Sequence, residues 1–167
     1  VVDESNLESF REARADLDDL HTALTLDADP GSGERDFHDA ISGSSREFET
    51  VDTRAEDESL LIYTSGTTGD PKGVRHVHRV LLGHLPLFLT AFADLELTDR
   101  DTFWTPSEWA WIASLFDVVF PALYYGRPLL AYRGGQFDPE TAFELIERYG
   151  VTNYFAPPTA LRMMQRV

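Results

Sequence analysis

The chain has 167 residues, is 43% hydrophobic, and carries 29 acidic against 14 basic side chains, for a net charge of −15 with no cysteine. That length and apolar content suffice for one domain with a core, and the missing cysteine excludes disulfides, thiolate catalysis and zinc–thiolate sites. So strong a negative field repels nucleic acid and anionic membranes, so neither is expected as a partner. The charge is uneven: residues 1–58 hold 18 acids and 5 bases, residues 59–167 hold 11 and 9. Lys72 is the single lysine beside thirteen arginines. Abundant carboxylates with scarce lysine suit a proteome that works in high salt, where self-repulsion is screened.

Val1 and Val2 read as the tail of a strand. Ser5 or Asn6 is placed to cap a helix over Leu7 to Leu20, with Leu7, Phe10, Ala13, Leu17 and Leu20 on one stripe. Leu24 to Leu26 is predicted as a short strand. Asp27 to Glu34 reads as a solvated acidic loop, because its carboxylates lack the spacing of a calcium-binding hand. Phe37 to Ile41 is predicted as a brief helix, and Ser42 to Ser59 as irregular.

The apolar run Leu60 to Tyr63 predicts a buried strand. It empties into a glycine- and hydroxyl-rich loop, after which a helical pattern begins near His76. His78 to Phe92 reads as a helix that is apolar on most sides and kinked by Pro86. Thr102 to Thr105 is a candidate strand. Trp109 to Tyr125 is a second buried helix with Pro121 inside it, closed by Gly126. Pro128 to Tyr132 is a strand and Gly134-Gly135 a turn. Pro139 to Tyr149 is an amphipathic helix with Pro139 near its first position and Gly150 as its stop. Thr152 to Phe155 is a strand, and Pro158 to Arg166 a last helix. The alternation predicts an α/β fold: a mostly parallel sheet, helices on both faces, right-handed crossovers. Residues 1–58 are expected to form an acidic segment of the same domain, and 59–167 an α/β subdomain built on the loop. Ligands of open α/β sheets bind beyond the carboxyl ends of the strands. The loops after Tyr63 and after Thr105 should therefore share one edge.

The chemistry of the loop follows from its residues. Gly66, Gly69 and Gly73 let the backbone take positive φ and approach a ligand closely, and successive N–H groups facing one concavity form an anion nest. Thr64, Ser65, Thr67 and Thr68 add donors that rotate to suit phosphate oxygens. Lys72 adds a compact positive charge, on a turn stiffened by Pro71. The spacing is neither that of a P-loop nor that of a dinucleotide-binding turn. Nor does Gly-Thr-Thr-Gly make Ser65 a hydrolase nucleophile, which needs a Gly-x-Ser-x-Gly elbow.

Other clusters carry less. His76 and His78, two apart on a helix, would not face each other, so no metal site is assigned. Arg75 and Arg79 border the loop, as added positive field or as a solubilising rim. Trp104, Trp109 and Trp111 fall within eight residues, and Trp104 and Trp109 are read as core. Glu108 is given no catalytic role, because a carboxylate substrate is already ionised near neutral pH.

Tyr63 to Gly73, read Tyr-Thr-Ser-Gly-Thr-Thr-Gly-Asp-Pro-Lys-Gly, resembles the phosphate-binding signature of the adenylate-forming (AMP-binding) superfamily. Trp104 to Trp111 and Ala156 to Arg162 resemble its acetyl-CoA and medium-chain acyl-CoA synthetase branch. The resemblance runs from about Leu60 to the end of the chain. It implies an ATP-dependent acid–thiol ligase acting on a small carboxylic acid, with ATP and coenzyme A as co-substrates and Mg2+ held mainly by residues outside this segment. Thr64, Ser65, Gly66, Thr67, Thr68, Gly69 and Lys72 would hold the phosphates, Lys72 being the catalytic charge. Trp111 would line the acyl pocket, with Ala110 where relatives usually carry glycine. Family members are much longer, so the chain is expected to be an internal piece of their large N-terminal domain, halophilic, cytoplasmic and inactive alone. The superfamily's glutamate motif, ribose-binding aspartate and C-terminal lysine are all missing. A non-catalytic nucleotide- or acyl-binding module and a truncated product without function are the alternatives.

Overall fold

The computed structural model describes residues 1–65, 69–92, 94 and 96–167. Its contacts divide the chain into two compact units, Val1–Asp52 and Thr53–Val167.

In the first unit three short strands form a parallel sheet, β1 (Val2–Asp3), β2 (Ala23–Leu26) and β3 (Glu34–Asp36), with β2 central. Alternation along β2 buries Ala23 and Thr25 and leaves Leu24 and Leu26 half-buried. The first helix differs from expectation. Asp3, not Ser5 or Asn6, accepts the Asn6 N–H and caps a single 3-10 turn, Glu4–Asn6. Helix α1 then runs only over Leu7–Ala13. A further 3-10 turn at Arg14–Asp16 follows, and Leu17 ends 47% exposed. Asp16, Asp18 and Asp19 favour turns over helix interiors, and Arg11 and Arg14 are drawn instead to Glu34. Glu34 is in β3, so the expected loop ends one residue early. Helix α2 (Phe37–Ser42) starts where Asp36 accepts the Asp39 N–H.

The second unit opens with an antiparallel hairpin, β4 (Glu58–Thr64) and β5 (Lys72–Val77), with a register shift between Glu58 and Leu60. This corrects the helical pattern expected from near His76: helix α3 covers Val80–Phe92. Val74 and Val77, three apart, satisfy a helical spacing, yet pairing with β4 decides the outcome. Strand β6 (Phe103–Trp104) pairs in parallel with β7 (Asn153–Tyr154). The strand expected over Pro128–Tyr132 contracts to one parallel bridge, Phe103 to Leu129. The Pro128 carbonyl accepts from Phe103 N–H and the Phe103 carbonyl from Leu130 N–H, each at 2.9 Å.

Between these strands lies a composite helix: α4 (Ile112–Ser114), a π turn (Leu115–Val119) and α5 (Phe120–Tyr124). Pro121 explains the change of register. Its ring would collide with the carbonyl four residues back and it has no N–H to give. The Phe120 N–H accordingly bonds five residues back, to Leu115. Helix α6 (Pro139–Tyr149) has Asp138 as its cap, Pro139 at its start and Gly150 at φ +61° as its stop. Helix α7 spans Pro158–Met164. The core is aromatic: Phe88 of α3, Phe103 of β6, and Val118 and Ala122 are buried together, with Phe92, Tyr125, Leu129 and Phe155 packed on them. Phe88 lies 4.8 Å from Phe103 and 5.9 Å, stacked, from Tyr125.

Candidate functional site

The glycine-rich loop is the tip of the β4–β5 hairpin. Tyr63 pairs with Gly73 and Thr64 with Lys72, so Thr64 and Lys72 close the ladder on either side of the loop. Cross-strand partners share a face, which places Thr64, Ile62 and Leu60 on the same face as Lys72, Val74 and His76. Leu60, Ile62 and His76 are half-buried there. At the foot of that face the His76 ring lies 6.2 Å from Phe116 in the π turn. Helix α3 starts eight residues beyond Lys72, so its N-terminus is not part of the loop.

Two glycines in this stretch are required for different reasons. Gly69 sits at φ +99° with nothing within 4 Å of a would-be Cβ, so conformation demands glycine. Gly73 has the opposite problem. A Cβ there would lie 3.2 Å from Leu61 Cδ1 and 3.3 Å from Tyr63 Cζ, because both side chains fold across the strand onto it. Of the phosphate-site candidates, Thr64, Ser65, Gly69 and Lys72 are described and exposed, and Gly66, Thr67 and Thr68 lie outside the described residues. Around the hairpin, Arg75 bonds Glu58 at 2.6 Å and Arg79 pairs with Glu56, so both arginines are engaged by carboxylates.

A second feature lies where the short parallel strands end. A cavity of about 580 Å³ is lined by Trp104 to Trp109, by the Ala131–Asp138 segment, and by Thr141, Ala142 and Leu145 of α6. The loop after β6 therefore does border a concavity, and among the described residues of the glycine-rich loop none lines it. Trp104 is 2% exposed and packs 5.2 Å from Tyr154. Trp109 is not core as expected: it is 37% exposed and faces the cavity. Trp111, 50% exposed, is outside that lining and stacks at 6.4 Å and 27° on Phe155. Tyr132 and Trp109 were not legible as cavity residues, because the concavity is assembled from loops far apart in sequence.

Asp101 and Tyr154 have perturbed acidities with local causes. The Thr98 backbone N–H, then Asn153, hold the Asp101 carboxyl below its ordinary range. Burial pushes the Tyr154 phenol up to about 12. His84 Nδ1 and Asp117 Oδ1 are 2.7 Å apart, joining α3 to the π turn. Among the described residues, no three histidine or carboxylate side chains converge as a metal site, and no helix is long and apolar enough to cross a membrane.

The sequence model of the AMP-binding enzyme family matches residues 1–167. The acetyl-coenzyme A synthetase of Methanothrix thermoacetophila is 34% identical over 133 residues, which is 78% of this chain and 20% of that protein. The crystal structure of a Brucella canis acyl-CoA synthetase superposes on 98% of the chain with a TM-score of 0.79 at 29% identity, using 29% of its own length. An anthranilate CoA ligase in complex with anthranoyl-AMP shares the fold, with a TM-score of 0.82 at 23% identity over 95% of the chain and 30% of its own. The chain thus spans about a fifth to a third of the length of these three proteins.

Proposed function

Because this chain belongs to the AMP-binding enzyme family, we propose that it supplies the phosphate-gripping part of an ATP-dependent acyl-CoA synthetase. In that reaction the oxygen of a carboxylic acid attacks the α-phosphorus of ATP, and the bond to pyrophosphate breaks. The thiol sulfur of coenzyme A then attacks the acyl carbon, and AMP departs. The work of the loop is to position the polyphosphate and offset charge that grows on the leaving group, not to form a covalent bond. Lys72 supplies charge, Thr64, Ser65, Thr67 and Thr68 supply hydroxyl donors, and Gly66 and Gly69 supply backbone N–H groups. Trp111 lines the pocket for the acid's side chain. The observation that carries this reading is the Thr64–Lys72 pair, which sets the only lysine and a hydroxyl on one hairpin face at the mouth of a loop bent by Gly69 at φ +99°.

Mg2+ would accompany the nucleotide, with its main protein ligands outside these residues. The chain does not catalyse the reaction alone. The net charge of −15 and single lysine support a high-salt, halophilic setting and no nucleic-acid partner, and a cytoplasmic location follows only from the proposed use of ATP.

The test is calorimetric titration of the 167-residue chain with ATP in molar potassium chloride, beside an assay for thioester formation with short-chain acids. Saturable binding that Lys72→Ala abolishes, without turnover, is the expected result. Turnover by the isolated chain would overturn its inactivity, and binding untouched by Lys72→Ala would remove the loop from its role. An unfolded chain would favour the truncated-product reading.

A further inference from the structure

We infer that His84 and Asp117 form a latch that positions Trp111, and so helps determine which acids the proposed pocket accepts. Its specificity half rests on the reading of Trp111 given above. Its structural half rests on contacts within the second unit.

Trp111 is the residue immediately before α4, and its carbonyl accepts the Leu115 N–H at 3.2 Å, the bond that leads into the π turn. The backbone of Trp111 is therefore hydrogen-bonded to the first residue of the π turn. Single-turn π segments are rare and are found frequently at functional sites. Pro121 forces the register change but does not choose where the widened turn points. Asp117, in the middle of that turn, is tied to His84 of α3 at 2.7 Å. A carboxylate accepts, so the ring presents Nδ1–H to it. Both side chains are largely sheltered, at 31% and 23% exposure. Losing either partner would leave the other half-buried and unpaired, and the turn free to roll.

Helix α3 holds Trp111 from a second side. Phe92, near its end, packs edge-on at 6.2 Å against Phe155, the ring on which Trp111 stacks. Phe116, 2% exposed, lies between the rings of His84 at 5.4 Å and of His76 on β5 at 6.2 Å. One helix thus braces the indole through Asp117 and through Phe155, and the same π turn meets the strand that carries Lys72. His84 and Asp117 touch no reacting atom in this scheme. They are positioning residues.

The test uses the full chain labelled with 5-fluorotryptophan, whose three fluorine resonances are assigned with Trp111→Phe and Trp109→Phe. Asp117→Ala should shift and broaden the Trp111 resonance while the buried Trp104 resonance stays, and Asp117→Asn, which keeps an acceptor for His84, should restore it. Titration with sodium butyrate and ATP should move the Trp111 resonance in the parent chain, and its midpoint should rise in Asp117→Ala and recover in Asp117→Asn. A Trp111 resonance identical in parent and Asp117→Ala, with Trp104 reporting a folded chain, overturns the latch. If Asp117→Ala does not fold, His84→Ala is judged by the same criterion. Butyrate that leaves Trp111 unmoved in the parent overturns the pocket reading instead, and the latch then stands or falls on the ligand-free spectra.

Discussion

Gly150 and Tyr154, four residues apart, respond to substitution in opposite directions. Gly150 ends α6 in the left-handed region, φ +61°, where its N–H caps the helix by bonding back to Glu147 and Ile146 carbonyls. Space is not the constraint, since nothing lies within 4 Å of a would-be Cβ. Gly150→Ala should therefore cost about 1 kcal/mol from backbone strain alone, read as a lower urea midpoint at unchanged slope. Tyr154 packs its ring on Trp104, yet its hydroxyl is buried with no partner among the described residues. An unsatisfied buried hydroxyl costs about 1–3 kcal/mol, so Tyr154→Phe should be neutral or stabilising. The phenol's pKa is raised by burial from 10.0 to about 12, so the folded form keeps its proton where the unfolded chain loses it. Stability should fall as pH climbs from 10 towards 12, and Tyr154→Phe should flatten that fall in pH-dependent unfolding.

Elements whose signals are local could be read directly from the sequence. Helix α6 has its cap, its proline start and its glycine stop within thirteen residues, and forms where predicted. The hairpin did not announce itself, because what makes Lys72–Val77 a strand is β4, eight residues upstream across a turn-rich loop. Likewise Glu34–Asp36, three charged residues, is a strand only because Ala23–Leu26 pairs with it. The candidate site divides the same way: the glycines, hydroxyls and lysine are contiguous and legible, and the cavity around Trp109 and Tyr132 is not. β3 also carries a testable ion-pair knot. Glu34, with its side chain 3% exposed, receives Arg11 in a two-pronged contact at 2.8 and 3.1 Å, the Gly31 N–H at 2.7 Å, and Arg14 at 3.6 Å. Arg11 first, then the Gly31 N–H, hold its carboxyl down from 4.5 to about 2. A depressed folded pKa means the contribution is complete above pH 4.5 and lost as pH drops towards 2. Amide exchange at Thr25 should accelerate across that window, and Glu34→Gln should bring the fast exchange to neutral pH.

Charge is the property that belongs to the whole chain, and its distribution predicts how salt acts on the two units. Residues 1–52 hold fifteen acids against four arginines, a net of −11, and residues 53–167 hold fourteen against ten, a net of −4. The first unit is less than half the length of the second, and most of its residues are exposed. Its carboxylates repel across distances that low salt leaves unscreened. The Debye length is about 10 Å at 0.1 M salt and about 3 Å at 1 M, so molar potassium chloride removes most of that repulsion. The aromatic core of the second unit owes little to charge, and hydrophobic burial carries it at any ionic strength. Thermal unfolding followed by amide signals of Thr25 and of Phe103 should therefore give two responses. The first should rise steeply between 0.1 and 1 M potassium chloride, and the second only slightly. If both midpoints move in parallel, the acidic segment is not where salt acts, and the proposed high-salt setting loses its support from composition.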